Sequence, residues 1–366
     1  MEVLPSKSAA FFCGDSLSGT PFFGFFYYSS FATGSVQYDI FPLTPTFNTA
    51  KIVKLNKMEV FVTPTDDVHV IMTGECVYPT DTTVRRGCII DAYTTTMMNP
   101  SWNIEVYAEN KWYMLFDDVA VSNNYVAVSA RYQIYQQNAC VCFFSRPTSG
   151  STSIFSIPRP TPDVLRGDRS AFESTAIEHC TGDWFVTAYT TQYGSVSDGL
   201  VVSAYHGPNN VYKKIVDLSS APVSHVGPPK DMAYLNRQLH VLQDYSSSGT
   251  TYNGIFKFSP YHAYNPTGTD TIKYHNPANN IVKSLDRKPI DPLSVAVSGL
   301  NSSGNLFLGT DVSCISTACL LTWTFSYSSM PLDNPFTENL TAIRETVRVD
   351  YYTESVKVST ITLTCS

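Results

Sequence analysis

The sequence predicts an all-β protein. Only 15% of the residues are charged, and 23 Tyr and 21 Phe are present, a composition that suits strands and is unlike that of helical surfaces. Short segments alternate apolar and polar residues, as in VAVSNNYVAVSA at 119–130, where Asn-Asn separates two runs. A period of two residues is typical of half-buried strands. No amphipathic helical pattern of useful length occurs, and ENLTAIRETV at 338–347 comes closest.

One phrase, a small residue followed by a dense apolar run, recurs along the whole chain. It begins at residues 24, 87, 139, 199, 254 and 318, so that successive copies are 52 to 64 residues apart. Two alternating runs around a turn precede most copies, as in MEVFVTPTDDVHVIMTG at 58–74, and a weaker fourth run follows. Such patterns predict antiparallel hairpins. Each repeat therefore supplies about four strands.

Four-stranded units repeated end to end resemble the blades of a β-propeller, in architecture rather than in any particular family. One small sheet cannot cover its own apolar faces, so each blade packs between two neighbours. The segment 8–15 looks like a second strand without an inner one, whereas 355–364 is a surplus strand. We therefore expect a single six-bladed domain in which the C-terminal strand completes the N-terminal blade. The expected blades are 1–50 plus 355–364, 51–110, 111–165, 166–222, 223–285 and 286–354.

The rival architecture is a pair of β-sandwiches in tandem. It needs a linker near the middle of the chain, and PRPTPDVLRGDRS at 158–170 has the composition of one. The sequence favours the propeller and leaves the sandwiches open.

Charge and hydropathy exclude two classes of partner. The net charge is −7 and no run of Lys or Arg occurs, so nothing draws a nucleic acid by counterion release. No stretch approaches the roughly 18 consecutive apolar residues of a membrane helix, which predicts a chain without a transmembrane segment. The nine Cys are too scattered for a zinc site. Low charge with many Tyr, Ser and Thr favours an extracellular, cell-surface or virion setting.

In a propeller, the loops between second and third strands share one face. Here these loops are rich in Tyr, Ser, Thr, Gly and Asn, a mixture that serves recognition in binding loops. Arg85 and Arg86 could hold a carboxylate or sulfate. The tyrosines expected to contact a ligand are Tyr135, Tyr193, Tyr245 and Tyr252.

Acidic residues precede several expected inner strands, at Asp117, Asp118, Asp231 and Asp291. Near a common mouth they could bind Ca²⁺, or two could act as acid and base on a glycoside, with His225 as a further acid or base. An Asp before a strand also commonly bonds its own backbone in an Asx turn. His69 and His240 occupy equivalent second strands, which favours a shared structural place.

The motif FCGDSLSG at 12–19 resembles the nucleophile block of GDSL-type esterases, with Ser16 as the nucleophile. Such enzymes also need an Asp-x-x-His pair near the C-terminus, and the near match here, Asp66 to His69, is early in the chain. Gly and Pro follow the serine where a helix is required, so a hairpin loop explains the stretch better.

These observations favour a non-enzymatic binding or structural module that recognises a protein or glycan through one loop face. The alternative is a carbohydrate-active hydrolase or lyase that uses the mouth carboxylates. Carboxylates about 5 to 10 Å apart in a deep mouth would favour the enzyme, whereas acids bonded to backbone would favour the binding module.

Overall fold

The computed structural model describes residues 2–27, 38–43, 50–98, 100–109, 114–133, 137–146, 175–193, 196–217, 225–235, 238–247, 250–258, 267–275, 280–287, 295–301, 306–309, 320–329 and 342–349. Strands joined by turns dominate these residues, and their one helical element is the 3₁₀ turn Pro5–Lys7. The predicted all-β class is therefore confirmed. The chain divides into two compact units, of which unit 1 spans Met1–Val119, Arg146–Phe155 and Thr341–Ser366, and unit 2 spans Ala120–Ser145 and Ser156–Leu340.

Unit 1 contains two antiparallel sheets. The first has the order β1-β2-β3-β4, with β1 Glu2–Leu4, β2 Ala9–Asp15, β3 Pro21–Tyr27 and β4 Tyr38–Pro42. The second contains β5 Lys51–Val62, β6 Val68–Tyr78, β7 Asp81–Thr94 and β8 Trp102–Glu109, with the distant strand β24 Ala342–Val349 added beside β8. Both sheets therefore begin as four consecutive strands in chain order.

The core of unit 1 is an aromatic cluster around Trp102, which is 0% exposed. The centroid of the Trp102 ring is 5.1 Å from that of Phe23, 5.7 Å from Phe41, 6.3 Å from Phe25 and 6.4 Å from Phe11. Because side chains alternate across a strand, the apolar face of the second sheet points to these rings of the first. Burial of the two apolar faces against each other therefore explains the alternation in both segments.

The remaining strands are numbered in chain order and belong to unit 2, except that six of the eight residues of β9 lie in unit 1. They are β9 Met114–Val121, which begins before the unit boundary, β10 Tyr125–Gln133, β11 Gln137–Ser145, β12 Ala176–Thr181, β13 Trp184–Tyr193, β14 Val196–His206, β15 Asn209–Asp217, β16 His225–Leu235, β17 Gln238–Ser247, β18 Thr250–Phe258, β19 Thr267–His275, β20 Asn280–Arg287, β21 Val295–Asn301, β22 Leu306–Gly309 and β23 Leu320–Ser329. The sheet orders are β11-β10-β9, β12-β13-β14-β15-β23-β19, β16-β17-β18 and β20-β21-β22.

The sheet that begins with β12–β15 is covered on both faces by sheets adjacent in sequence. On one face, Phe185 and Tyr205 pack against Phe143 of β11, with ring centroids 5.6 and 5.5 Å away. On the other, Val186 belongs to a core cluster that includes Val241 of β17. A sheet with two covered faces shows near-continuous apolar runs, which accounts for the run from Leu200 to Tyr205 in β14, where Ser203 is the one polar residue.

The antiparallel sheets fall within the expected segments over much of the chain. Four consecutive strands pair in chain order within 1–50, 51–110 and 166–222, and strands from later in the chain extend the last two sets. Three consecutive strands pair within 111–165 and within 223–285. In the segment 223–285, strand β19 pairs with β23 and not with β18. The first sheet has a short inner strand, because β1 pairs with β2 from Leu4↔Ala9 to Glu2↔Phe11. The expectation that this sheet lacks an inner strand of its own was therefore wrong. The strand expected at 355–364 and the rival linker at 158–170 lie outside the described residues.

The last expected segment, 286–354, does not form a single sheet. Strand β24 pairs along its whole length with β8, from Ala342↔Glu109 to Val349↔Trp102, and β23 pairs with both β15 and β19. The outer edge of a sheet presents unpaired N–H and C=O groups that another strand can complete. Residues 342–347 of the segment that came closest to a helical pattern lie in β24. This agrees with the prediction that no helix forms there, and the β-branched residues of the segment favour a strand.

Candidate recognition surface

Two of the acids expected at the mouth, Asp118 and Asp231, accept a hydrogen bond from the backbone N–H of the next residue. The Val119 N–H donates to Asp118 Oδ1 at 2.9 Å, and the Met232 N–H donates to Asp231 Oδ1 at 3.0 Å. Asp117 lies beside Asp118 in β9, and all three side chains are buried. These bonds go to the next residue and not to the N–H two residues on that defines an Asx turn. The acids also lie within β9 and β16, which corrects the expectation that they precede the strands. Asp291 and the side chain of His225 lie outside the described residues.

Three of the four expected ligand-contacting tyrosines, Tyr193, Tyr245 and Tyr252, lie on strands at or near hairpin ends. Tyr193 ends β13 opposite Val196 of β14, and Tyr245 of β17 lies directly opposite Tyr252 of β18. Tyr135 and the side chains of the other three are outside the described part of the chain. Their role in recognition stays a prediction.

Ser16 belongs to a tight turn between β2 and β3. Its N–H donates to Thr20 O at 2.9 Å and the Gly19 N–H donates to Ser16 O at 2.8 Å, while Ser16 Oγ accepts the Thr20 N–H at 3.0 Å. Gly19 has φ +75°, a left-handed conformation that glycine adopts without strain. The structure therefore confirms the hairpin loop, and the turn presents the fully exposed side chain of Leu17 at 111% relative exposure.

Arg85 and Arg86 lie on strand β7, not in a loop, because β6 and β7 continue to a two-residue turn after Tyr78↔Asp81. Arg85 Nη1 is 3.2 Å from Glu75 Oε2, and Lys54 Nζ is 3.5 Å from Glu75 Oε1. The cations are half exposed, at 54% and 50%, whereas the Glu75 side chain is 13% exposed. These three side chains, called the charge ladder, cross β5, β6 and β7.

The tip of the same hairpin is fixed by local hydrogen bonds. Asp81 Oδ1 accepts from the Thr83 N–H at 3.2 Å and from Thr83 Oγ1 at 2.8 Å. The bond from the Thr83 side chain is the main cause that holds the pKa of Asp81 below its usual value. The Arg86 guanidinium lies 5.6 Å from the centroid of the Tyr78 ring, a cation–π distance.

Two contacts between the sheets show that both turns project from the same end of unit 1. Lys7, between β1 and β2, pairs with Asp66, between β5 and β6. Tyr27, at the end of β3, donates to Met97 O in the β7–β8 connection at 2.7 Å. Both contacts lie at the strand ends that are farthest from the β2–β3 and β6–β7 turns, so the two turns lie at the other end of the sheets. We call the end with these turns, which carries Leu17, Tyr78, Arg86 and the charge ladder, the hairpin end.

A buried polar cluster lies on the other face of the second sheet. His69 Nδ1 is 2.9 Å from Asp91 Oδ1, and the imidazole is stacked between the Phe61 ring, 5.0 Å away, and the Tyr93 ring, 5.3 Å away. His69 and Asp91 are each 1% exposed. Because a substrate cannot reach this pair in the folded chain, it has a structural role. His240 is likewise buried on β17, as its equivalent place in the sequence led us to expect.

The cluster continues along the same face. Glu105 lies directly opposite Asp91 on β8, and Tyr107 Oη donates to Glu105 Oε2 at 2.6 Å. At its other side, the Arg146 guanidinium lies 4.1 Å from the centroid of the Phe61 ring, and its Nη2 donates to Val62 O at 2.6 Å. Burial lowers the pKa of Arg146. Sequence alternation alone did not reveal this cluster, because its members are dispersed along β5, β6, β7 and β8.

Neither a metal-binding cluster nor a membrane-spanning helix occurs among the described residues. Within the ranges given above, no three His, Cys, Asp or Glu side chains come together as a metal site, and the suggested Ca²⁺ site stays untested because Asp291 lies outside them. Among the same residues, no helix has the length and apolar character needed to cross a membrane. Comparisons of the chain with protein-family models, curated proteins and solved structures found no match.

Proposed function

We propose that this protein is a non-enzymatic recognition module that binds a protein or a glycan through one loop face of a propeller-like scaffold. The observation that supports it best is the contrast between the acids predicted at the mouth and the arginine pair predicted to bind a ligand. The carboxylates of Asp118 and Asp231 are buried and engaged by adjacent backbone N–H groups, whereas Arg85 is half exposed at the tip of a long hairpin. The acids stabilise the scaffold and the hairpin is available to a ligand.

The scaffold that we propose is a ring of six blades in which 355–364 completes the first blade. Two observations support the blade arrangement. Four consecutive strands pair in chain order within three of the six expected segments, and the sheet that begins with β12–β15 packs between its two neighbours in sequence. In unit 1, the Asn56 side-chain amide on β5 also donates to Phe116 O of β9 at 2.7 Å. Each sheet hides apolar surface that it could not hide alone.

The closure of the ring has its own test. Because β1 and β3 already pair with β2, the inner edge of the first sheet is β1. Cysteine pairs placed between 355–364 and β1 in a background without the native Cys should form crosslinks if the two segments are neighbouring strands, since a disulfide requires Cα atoms within about 7 Å. Pairs between 355–364 and β15 are the matched control. Efficient crosslinking of the control pairs alone would refute the proposed closure.

The binding function is tested by a screen of glycans and proteins with the full chain. We expect at least one binder whose affinity falls about 10-fold or more in the double variant Arg85→Ala/Arg86→Ala or in alanine variants of the four tyrosines, because charged hydrogen bonds and aromatic contacts dominate such interfaces. Lys7→Ala removes a cation at the opposite end of unit 1 and should leave binding unchanged. Hydrolysis of a glycan that Asp231→Asn abolishes without loss of stability would instead establish the enzymatic alternative.

A further inference from the structure

We infer that the hairpin end binds a protein partner whose surface places carboxylates beside an apolar contact. This inference rests on the proposed recognition function and specifies its ligand. Its components are the charge ladder, Arg86 with Tyr78, and Leu17 on the neighbouring turn.

Charge is distributed unevenly between this end and the chain as a whole. The chain carries a net charge of −7. At this end, the outer parts of β5, β6 and β7 carry four cationic side chains, Lys51, Lys54, Arg85 and Arg86, against three acidic ones, Glu75, Asp81 and, beside the Leu17 turn, Asp15. An excess of cations on a locally exposed surface attracts an anionic group even when the whole molecule is acidic.

The geometry of the charge ladder leaves its cations able to bind a further anion. A single carboxylate, Glu75, sits between Lys54 and Arg85 and is the least exposed of the three side chains. Arg85 uses Nη1 for Glu75, and a guanidinium has five donors in a planar fork that matches a carboxylate. A carboxylate from solvent can therefore bind Arg85 while the ion pair with Glu75 persists.

Two features favour a protein over a sugar chain at this surface. Leu17 is held outward by the hydrogen-bonded turn, so a partner can bury its aliphatic side chain without first ordering the turn. The Tyr78 ring is already covered on one face by Arg86, which leaves less aromatic surface for stacking against a sugar ring. An apolar contact bordered by acidic groups is therefore the complementary partner.

The test uses a phage-displayed library of random peptides selected on the full chain, followed by affinity measurements on synthetic copies of the selected peptides. We expect selected peptides to combine Asp or Glu with a large apolar residue. Affinity should fall about 10-fold or more in Arg85→Ala/Arg86→Ala, which removes charged hydrogen bonds, and about 5-fold or more in Leu17→Ser, which exposes apolar surface of the peptide. It should also fall as salt rises.

Met98→Ser and Lys7→Ala are matched controls. Met98 is the other strongly exposed large apolar residue among those the structure describes, at 84%, and it lies in the β7–β8 connection, at the end that carries Lys7. Neither control should change the affinity by more than about 2-fold.

The outcomes separate this inference from the proposed function. Selected peptides without acidic residues, or equal losses in the controls, would overturn the inference while leaving a recognition module. Binding of a sulfated glycan that depends on Arg85 and Arg86, with no peptide selected, would overturn the protein partner. A chain that binds neither peptides nor glycans nor proteins would overturn the proposed function as well.

Discussion

Replacement of Asp231 tests whether the predicted mouth acids are structural. In Asp231→Ala, the buried N–H of Met232 loses the acceptor that lies 3.0 Å away, and a buried donor without a partner costs about 1–3 kcal/mol. In Asp231→Asn, a side-chain oxygen remains in the same position, so we expect a loss of about 1 kcal/mol or less. For a unit of this size, each 1 kcal/mol lowers Tm by about 2–4 °C.

The assay is thermal and urea unfolding of both variants beside the unchanged chain. We expect Tm to fall by about 2–12 °C in Asp231→Ala and by no more than about 4 °C in Asp231→Asn. The pair Asp118→Ala and Asp118→Asn should behave alike, because Val119 donates to Asp118 in the same way. If Asp231→Asn were as destabilised as Asp231→Ala, the negative charge rather than the backbone bond would account for the residue, and the reasoning would fail.

Three further predictions concern stability. Ser122→Ala should lower the Tm of unit 2 through loss of about 1–3 kcal/mol, because Ser122 Oγ donates to Asp183 at 2.7 Å. Ser129→Ala should be neutral or stabilising, because the Ser129 hydroxyl is buried without a hydrogen-bond partner. Burial opposes ionisation of Asp183, but hydrogen bonds from Asn124 and Ser122 hold its pKa below 3.8. The stability that the ionised carboxylate contributes is therefore present above about pH 4 and is lost as the pH falls through the lowered pKa. The Tm difference between the unchanged chain and Asp183→Asn should accordingly be smaller at about pH 3 than at about pH 6. Trp102→Ala should cost about 3–5 kcal/mol in urea unfolding, with Met98→Ala unchanged within about 0.5 kcal/mol; a small loss at Trp102 would contradict the central place of its ring.

The strands and most of the turns could be predicted from the sequence because both depend on local rules. Alternation places Val68, Val70 and Met72 on one face of β6, where all three are buried. The β5–β6 turn follows from Thr63 to Asp67, in which the Thr63 N–H donates to Asp67 O and Thr63 Oγ1 accepts the Asp67 N–H. Such side-chain bonds depend only on residues a few positions apart, so no knowledge of the rest of the chain was required.

The pairing of the distant strands could not be predicted in the same way. Backbone groups at a sheet edge are the same for every residue type, so the sequence of β8 does not specify that β24 will pair with it. The charge ladder depends on register as well. Irregularities between Ile52 and Lys54 and between Leu55 and Lys57 bring Lys54 opposite Glu75, and a shift of one residue would reverse the face of each side chain.

The alternation of side chains along β6 explains both the buried polar cluster around His69 and the charge ladder around Glu75. His69 and Glu75 are six residues apart on β6, and with side chains that alternate they share a face. Where that face is covered, a charged or polar side chain needs a partner inside the protein. The Asp91 carboxylate, which is 1% exposed, has such a partner in His69. Near the turn the same face is open, so Glu75 pairs with cations that are half exposed and remain able to bind a partner. The position of a side chain along β6 thus determines whether it stabilises the sheet or can contact a ligand.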